Sequence, residues 1–117
     1  MNANKERLNN IVTFKSNGEF DNLLKELRAK LNLKTSSDLI RYCLENLFNR
    51  YNRSERLDKA LIDDANMTFI GGLIHCFKVD DKTLERMDEL ERAYNIDRST
   101  LIRLAVLLLY IKISLAV

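Results

Sequence analysis

An internal repeat constrains this chain more than any other feature of its sequence. A β-type segment followed by two helical segments occupies residues 11–47, and the same order returns about 63 residues later. Both copies contain a Ser-x-Leu-Ile-Arg run, at residues 37–41 and at residues 99–103. Because the copies share both the order of segments and this run, we interpret the chain as a duplication of one small structural unit.

The first copy begins with the alternating run IVTFK at residues 11–15, whose β-branched and aromatic side chains are typical of a strand. Apolar residues then recur at helical spacing from residue 20 to residue 31, and Asn32 marks the end of this helix. Hydroxyl side chains at residues 35–37 are suited to cap a second helix, which presents one broad apolar face.

The second copy repeats this order with different capping residues. Residues 73–79 predict a strand, and Asp80 starts a helix that ends at Asn95. Ser99 is expected to cap the last helix, which extends over residues 100–114. The sequence therefore predicts a strand–helix–helix motif in each half of the chain.

A connector separates the two motifs. Ser54 is expected to cap a short helix that ends at Ala65, and residues 66–72 are expected to form a loop. The predicted fold class is mainly α with short antiparallel β-ribbons, in the order β-α-α, connector, β-α-α. We therefore divide the chain into an N-terminal motif at residues 1–52, a connector at residues 53–72 and a C-terminal motif at residues 73–117.

Composition and size indicate that the two motifs must pair. Proline is absent and glycine occurs three times, which favours a mostly helical chain. A single motif of about 45 residues buries too little apolar surface to offset its ordering entropy. A lone strand also leaves both of its edges without hydrogen-bond partners. We therefore expect the strands to pair into a two-stranded antiparallel ribbon, either within one chain or between two chains.

The charge is distributed unevenly between the halves. Residues 1–56 contain 11 Lys and Arg against 7 Asp and Glu, whereas residues 57–117 contain 8 against 10. An anionic partner is therefore expected to meet the N-terminal half.

Targeting signals are not evident in the sequence. The polar N-terminus is not followed by an apolar core, so no signal peptide is expected. The apolar run near the C-terminus is too short to span a bilayer, so we expect no membrane partner. We expect a cytoplasmic protein, in a prokaryotic cell or in the host cell of a virus.

Reactive residues are few and poorly placed for catalysis. The sequence has one histidine and two cysteines, and it lacks a phosphate-binding glycine loop and a nucleophile paired with a base. His75 and Cys76 are neighbours on a predicted strand and point to opposite faces, so they cannot share a metal ion. We interpret these two residues and Cys43 as packing residues. We expect no enzyme, no metal, no cofactor and no small-molecule substrate.

These motifs resemble the ribbon-helix-helix superfamily of DNA-binding repressors, the MetJ/Arc group. The second copy follows the family pattern over residues 74–107, and the first follows it over residues 11–47 with one extra residue in the turn between its helices. Asp80 stands where many family members have proline, and Asn32 and Asn95 stand where many have glycine. Two copies in one chain are similar to tandem regulators of archaeal viruses.

The resemblance implies a sequence-specific DNA-binding transcription regulator, and in particular a repressor, whose ribbon enters the major groove. It places base contacts on the outward residues of the first strand, which are Ile11, Thr13 and Lys15, extended by Asn9. Lysine can donate to guanine, threonine can donate or accept, and isoleucine can contact a thymine methyl group. Val12 and Phe14 then form the inward set.

The second strand is a weaker candidate for base contacts. Its outward set is Ile74, Cys76 and Lys78, of which only the lysine is a strong donor. Its inward set is His75, Phe77 and Val79. The N-terminal motif is therefore expected to make the main base contacts.

The resemblance also implies contacts to backbone phosphates at the start of each second helix, where free N–H groups and the helix dipole attract anions. Lys5 and Arg7 are expected to add positive charge on the same side. Plain N-capping is an alternative role for the hydroxyl residues, and both roles can hold together. The expected phosphate contacts are Lys34, Thr35, Ser36, Ser37, Lys78, Arg98 and Ser99.

The last helix is apolar on nearly all sides over residues 104–113, so it is expected to be buried all round. Either a second chain or the connector helix covers it. The expected partners are double-stranded promoter DNA and further copies of the chain, in a homodimer or higher oligomer. Two alternatives stay open: an antitoxin of a toxin–antitoxin pair, and a helical self-assembly protein that does not bind nucleic acid.

Overall fold

The fold is mainly helical with one small antiparallel sheet, which agrees with the predicted class. The computed structural model describes residues 7–53, 57 and 59–115. In this part of the chain β1 is followed by α1 and α2, α3 comes next, and β2 is followed by α4 and α5. The elements are β1 (Asn10–Ser16), α1 (Gly18–Leu31), α2 (Ser36–Asn52), α3 (Lys59–Phe69), β2 (Leu73–Val79), α4 (Asp81–Tyr94) and α5 (Arg98–Leu115).

The two strands come from opposite halves of the chain and pair with each other. β1 and β2 are antiparallel, and the register extends from Asn10 opposite Val79 to Ser16 opposite Leu73. The sequence left open whether strands pair within one chain or between chains. In this structure both strands of the ribbon belong to the same chain.

The first helix after each strand ends at the predicted asparagine, and a side chain caps its start. Asp80 is the start that the sequence predicts, whereas the cap at Asn17 is found only in the structure. The Asn17 side chain accepts from the Phe20 N–H at 3.0 Å, and the Asp80 side chain accepts from the Thr83 N–H at 2.7 Å. Both helices end at an asparagine in the left-handed conformation, with φ of 55° and 54°. Asparagine tolerates this conformation better than most residues, which explains why it can replace glycine at both helix ends.

The connector helix ends later in the chain than the sequence indicated. The predicted loop at residues 66–72 is wrong for its first half, because α3 continues to Phe69. The Phe69 ring is nearly buried and packs edge-on against Phe20, with ring centroids 5.5 Å apart. This tertiary contact favours continuing the helix where local propensity is weak. The predicted cap, Ser54, lies outside the described residues.

Helix α5 is the centre of the hydrophobic core. Every residue from Thr100 to Val106 is buried, and so are Leu108 and Leu109. Helices α1, α2, α3 and α4 and strand β1 all pack against it. The apolar surface of α5 up to Leu109 is thus largely covered within one chain, and the connector helix is part of that cover. The expected burial on all sides does not extend to the end of the helix, where Tyr110, Ile111 and Ile113 are half-buried and Leu115 is 80% exposed. None of the helices in the described ranges is both long and apolar enough to cross a membrane.

Side chains of α2 and α5 hydrogen-bond the backbone of the ribbon. The Arg103 Nη1 donates to the Lys15 carbonyl at 2.7 Å, and the Arg41 Nη1 donates to the Lys78 carbonyl at 2.8 Å. The Ser99 hydroxyl accepts from the Lys15 N–H at 3.0 Å. Each arginine ends the Ser-x-Leu-Ile-Arg run of its own half and binds the strand of the other half. These bonds satisfy backbone groups that a two-stranded ribbon would otherwise leave without protein partners.

Gly71 lies where the chain passes very close to the end of β1. A Cβ atom at this position would be 2.6 Å from the Ser16 carbonyl oxygen and 2.8 Å from the Asn17 Cβ. At Gly72 an added Cβ would have no heavy atom within 4 Å. The structure therefore gives Gly71 a steric role that Gly72 does not share.

We expect Gly71→Ala to lower the free energy of unfolding by about 1–3 kcal/mol, because the added methyl group overlaps backbone atoms that cannot move independently. Gly72→Ala is the matched control, and we expect it to change stability by less than about 0.5 kcal/mol. Urea denaturation followed by circular dichroism measures both. Equal effects of the two substitutions would contradict the close approach at Gly71.

A second pair of variants compares the two arginines. Arg103 is only 3% exposed and also binds the Asn66 side chain at 2.7 Å, so Arg103→Ala removes two charge-assisted hydrogen bonds and the packing of a buried side chain. We expect it to lower the free energy of unfolding by about 2–4 kcal/mol. Arg41 makes the equivalent bond nearer the surface, and Arg41→Ala should cost less than about 1.5 kcal/mol. Urea denaturation measures both variants. A larger loss of stability for Arg41→Ala than for Arg103→Ala would contradict the greater structural weight that we assign to Arg103.

Candidate nucleic-acid interface

The outer face of the ribbon is formed by alternate residues of both strands. On β1 the predicted inward residues Val12 and Phe14 are buried, whereas Ile11 is 68% exposed and Thr13 and Lys15 are also exposed. The predicted alternation of β1 is therefore confirmed. On β2 the same alternation holds, with Phe77 and Val79 buried, His75 half-buried, and Ile74, Cys76 and Lys78 exposed. We call Ile11, Thr13, Lys15, Ile74, Cys76 and Lys78 the outer face.

The outer face has an approximate two-fold arrangement. Thr13 lies opposite Cys76 in the register, and Cys76 is also its counterpart 63 residues later in the repeat. A two-fold axis through this pair therefore relates the strands. Lys15 lies opposite Ile74, and Lys78 lies opposite Ile11. The two lysines thus occupy diagonal corners of the face, and the two isoleucines occupy the other corners.

One ribbon contains the outward residues of both motifs, so the outward sets of the two strands form one surface. Lys78, assigned from the sequence to phosphate, shares the outer face with Thr13 and Lys15. The repeat offset together with antiparallel pairing could have revealed this placement, because both copies contain lysine at the same position. Asn9 is exposed and lies just before β1, where it lines a depression with Arg7 and the acidic residues Asp80 and Asp81.

The back of the ribbon is packed rather than reactive. The His75 ring stacks on Phe14 with centroids 4.8 Å apart. Its Nε2 lies 2.7 Å from the Ser16 Oγ and 3.1 Å from the Asp21 Oδ1. Serine and carboxylate therefore share one ring nitrogen, whereas a hydrolytic triad needs them on opposite nitrogens. This geometry agrees with the interpretation of His75 as a packing residue.

The two cysteines have different environments. Cys43 is buried on α2, and burial raises the pKa of its thiol to about 12, so it stays protonated and unreactive. Cys76 is exposed at the middle of the outer face, with its Sγ 3.6 Å from the Thr13 Oγ1. The interpretation of Cys76 as a packing residue is therefore wrong. Its strand position points outward, and no element covers that side of the ribbon within the described residues.

The start of α2 combines hydroxyl groups with positive charge. The Thr35 hydroxyl caps the helix by accepting from the Asp38 N–H at 3.1 Å. Lys34 and Thr35 are exposed, and Ser36 and Ser37 are half-buried. The hydrogen bonds from Arg41 and from Thr35 hold the pKa of the Asp38 carboxyl below its usual value. Of these residues, Thr35, Ser37 and Arg41 line a depression of about 480 Å³ that also contacts Ile11 and Lys78 of the outer face.

The start of α5 differs from the start of α2. Asp97, not Ser99, caps α5, because the Asp97 carboxylate accepts from the Thr100 N–H at 2.8 Å. The predicted Ser99 cap is therefore wrong, since its hydroxyl instead binds β1. Arg98 contacts Asp88 and Glu91, with its Nε 2.8 Å from the Glu91 carboxylate. Both predicted phosphate ligands here already have partners in the chain.

Metal ligands are not grouped in the part of the chain that the structure describes. No cluster of three or more His, Cys, Asp and Glu side chains there has the spacing to hold a metal ion. Lys5, expected to add charge near the ribbon, lies outside the described residues. Arg7 is exposed near the start of β1.

Comparison with known proteins found no matching family model, no matching curated protein and no matching solved structure. Any functional conclusion therefore depends on the residues of the outer face and of the helix starts beside it.

The Asp97 cap predicts a pH dependence of stability. Burial alone raises the pKa of the Asp97 carboxyl, but the hydrogen bonds from the Thr100 side chain and backbone and the charge of Arg103 outweigh it, so the pKa lies below the usual 3.8. The stabilisation is therefore complete above the unfolded-state pKa and is lost as the pH falls through the folded-state pKa.

We expect Asp97→Asn to keep a capping side chain while removing this titration. Measured by urea denaturation at several acidic pH values, the unfolding free energy of the variant should fall less steeply below about pH 4 than that of the wild type. Parallel curves for the two proteins would show that Asp97 does not contribute to acid sensitivity.

Proposed function

We propose that this protein is a sequence-specific DNA-binding transcription regulator that acts as a repressor. The observation that carries the proposal is the outer face, a two-stranded ribbon that exposes Thr13, Lys15 and Lys78 while its inner face is buried. These three polar side chains are exposed at regular spacing and have no packing role in the described chain. Contacts to the base edges of DNA give these side chains a role.

The dimensions of the ribbon support insertion into the major groove. Neighbouring strands lie about 4.8 Å apart, and the major groove of B-DNA, about 12 Å wide, admits a two-stranded ribbon. Side chains from both strands then point toward the base edges. The narrower minor groove presents a degenerate pattern and gives such a ribbon less sequence information.

Each residue type on the outer face has a matching chemical group in the major groove. Lys15 and Lys78 donate to the O6 and N7 atoms of guanine, and Thr13 donates to or accepts from a base edge. Ile11 contacts a thymine methyl group, and Asn9 extends the contact beyond the strand. The base contacts we propose are therefore Asn9, Ile11, Thr13 and Lys15, with Lys78 added from the second strand.

Phosphate contacts are proposed mainly at the start of α2. Lys34 and Thr35 are exposed there, with Ser36 and Ser37 beside them, and the helix dipole adds attraction for an anion. The start of α5 is less suited, because the Asp97 carboxylate and the acidic partners of Arg98 lie at the same place. This asymmetry matches the positive balance of the N-terminal half.

The proposal also includes a more specific fold, the tandem ribbon-helix-helix arrangement. The order of elements on either side of α3 and the pairing of β1 with β2 support a tandem ribbon-helix-helix chain whose halves form one DNA-binding unit. Repression follows when neighbouring molecules, each on its own copy of a repeated site, associate as homodimers or higher oligomers and block a promoter. A cytoplasmic location in a prokaryotic or virus-infected cell is part of this proposal.

A protein partner is the second candidate, and one observation favours it. Ile11 is 68% exposed and Ile74 is 64% exposed, and together with the exposed Leu8 and Leu73 they give the ribbon an apolar margin. Apolar margins of this kind also occur in protein interfaces. Light scattering without DNA distinguishes the candidates: concentration-dependent assembly through these residues, with no DNA selected from a random pool, favours the protein partner.

The proposal predicts that Lys15 contributes to specific DNA binding and that a lysine away from the outer face does not. After a binding site is selected from a random DNA pool, we expect Lys15→Ala and Thr13→Ala each to weaken specific binding roughly tenfold or more, while non-specific binding changes less. Lys30→Ala is the matched control, because Lys30 lies over the Tyr110 ring near the far end of α5. Fluorescence anisotropy measures all three, and equal losses for Lys15 and Lys30 would contradict base contact by Lys15.

A further inference from the structure

The outer face is symmetric at its corners but not at its centre. The approximate two-fold axis relates Lys15 to Lys78 and Ile11 to Ile74, so each corner has an identical counterpart. At the axis itself, Thr13 faces Cys76. The two halves of the face therefore differ only in this central pair.

We propose that one chain is the complete DNA-reading unit and that the Thr13–Cys76 pair sets the direction in which it lies on its site. The inference rests on the proposed function and adds the character of the target. The target is a short site with similar outer base pairs in its two halves and a central base pair whose orientation decides which strand faces Thr13 and which faces Cys76.

The ribbon is complete without a second chain. Both strands come from one chain, and the bonds from Arg41 to the Lys78 carbonyl and from Arg103 to the Lys15 carbonyl complete the ribbon from within. The core around α5 is filled by helices of the same chain. A single molecule thus presents all six outer-face residues in a fixed register.

The two residues of the central pair, Thr13 and Cys76, differ in how well they donate and accept hydrogen bonds. A threonine hydroxyl is a good donor and acceptor, and its methyl group can contact thymine. A cysteine thiol is a weak donor and a weak acceptor. The two central residues therefore favour different base edges, and turning the chain by 180° on the same site exchanges a good contact for a poor one.

The direction in which the chain lies on its site can be measured, because different peptides flank the two ends of the ribbon. The Lys34–Ser37 segment at the start of α2 lies toward Ile11 and Lys78, whereas the start of α5 binds Lys15 through Ser99. The two ends of the ribbon are thus flanked by different peptides. A DNA-bound probe on one side of the site can report which end lies next to it.

The experiment begins with selection of bound DNA by the full chain, followed by native mass spectrometry on a minimal duplex with one selected site. We expect one chain per site. A photoreactive group is then placed on one flank of the duplex, and the crosslinked peptide is identified by mass spectrometry. We expect one of the two helix-start peptides to dominate by at least about fivefold, and inverting the central base pair should reverse the preference.

Two variants test the role of the central pair. Cys76→Thr gives both strands the same central residue, and we expect the crosslinks to divide between the two peptides within about twofold. Thr13→Ser keeps a hydroxyl group opposite the thiol and removes only the methyl group, so we expect the wild-type direction with a smaller preference. Circular dichroism checks that both variants are folded.

Each possible result of these experiments either supports or overturns the inference. Two chains on a minimal site, or a wild-type crosslink pattern that ignores the central base pair, overturns the inference while leaving DNA binding intact. A Cys76→Thr variant that keeps the full wild-type preference shows that residues outside the centre set the direction. Failure to select any DNA overturns the proposed function itself and is distinguishable from the other results.

Discussion

The pairing of β1 with β2 is the interaction on which the rest of the structure depends. Neither strand has another strand beside it in the described chain, so each relies on the other for its ladder of hydrogen bonds. Pairing also separates the side chains into two sets, because alternate residues point to opposite faces. One set, including Val12 and Phe14, joins the core, and the other becomes the outer face.

The Ser-x-Leu-Ile-Arg run links this ribbon to the helices. Its Leu and Ile residues are buried in both halves, so they hold α2 and α5 in the core. Its arginine extends to the strand of the opposite half and binds a lysine carbonyl. A charged residue is costly to bury unless it is hydrogen-bonded, and both Nη atoms of Arg103 meet this condition through the Lys15 carbonyl and the Asn66 side chain, whereas its buried Nε has no hydrogen-bond partner in the described residues. One short run thus serves both packing and connection between the halves.

The sequence was most informative where local chemistry decides the structure. The alternation of β1, the cap at Asp80 and the left-handed asparagines follow from residue type at short range. The end of α3 depended on Phe69 meeting Phe20, a contact 49 positions apart that no local pattern contains. The position of Ser99 depended on β1, and that of Lys78 on the register. Pairing of strands within the chain, rather than composition, decided what the outer face contains.

A duplicated chain has a freedom that a pair of identical chains lacks. In a symmetric dimer the residue on the two-fold axis meets its own copy, so any substitution changes both sides of the interface together. Here Thr13 and Cys76 occupy equivalent places on one chain, and each can differ without altering the other. The corners of the outer face retain the symmetric lysine and isoleucine pattern, so the frame that we propose for the DNA groove is preserved. A near-symmetric frame with an unequal centre is the geometry that allows a ribbon to distinguish the two directions of a duplex.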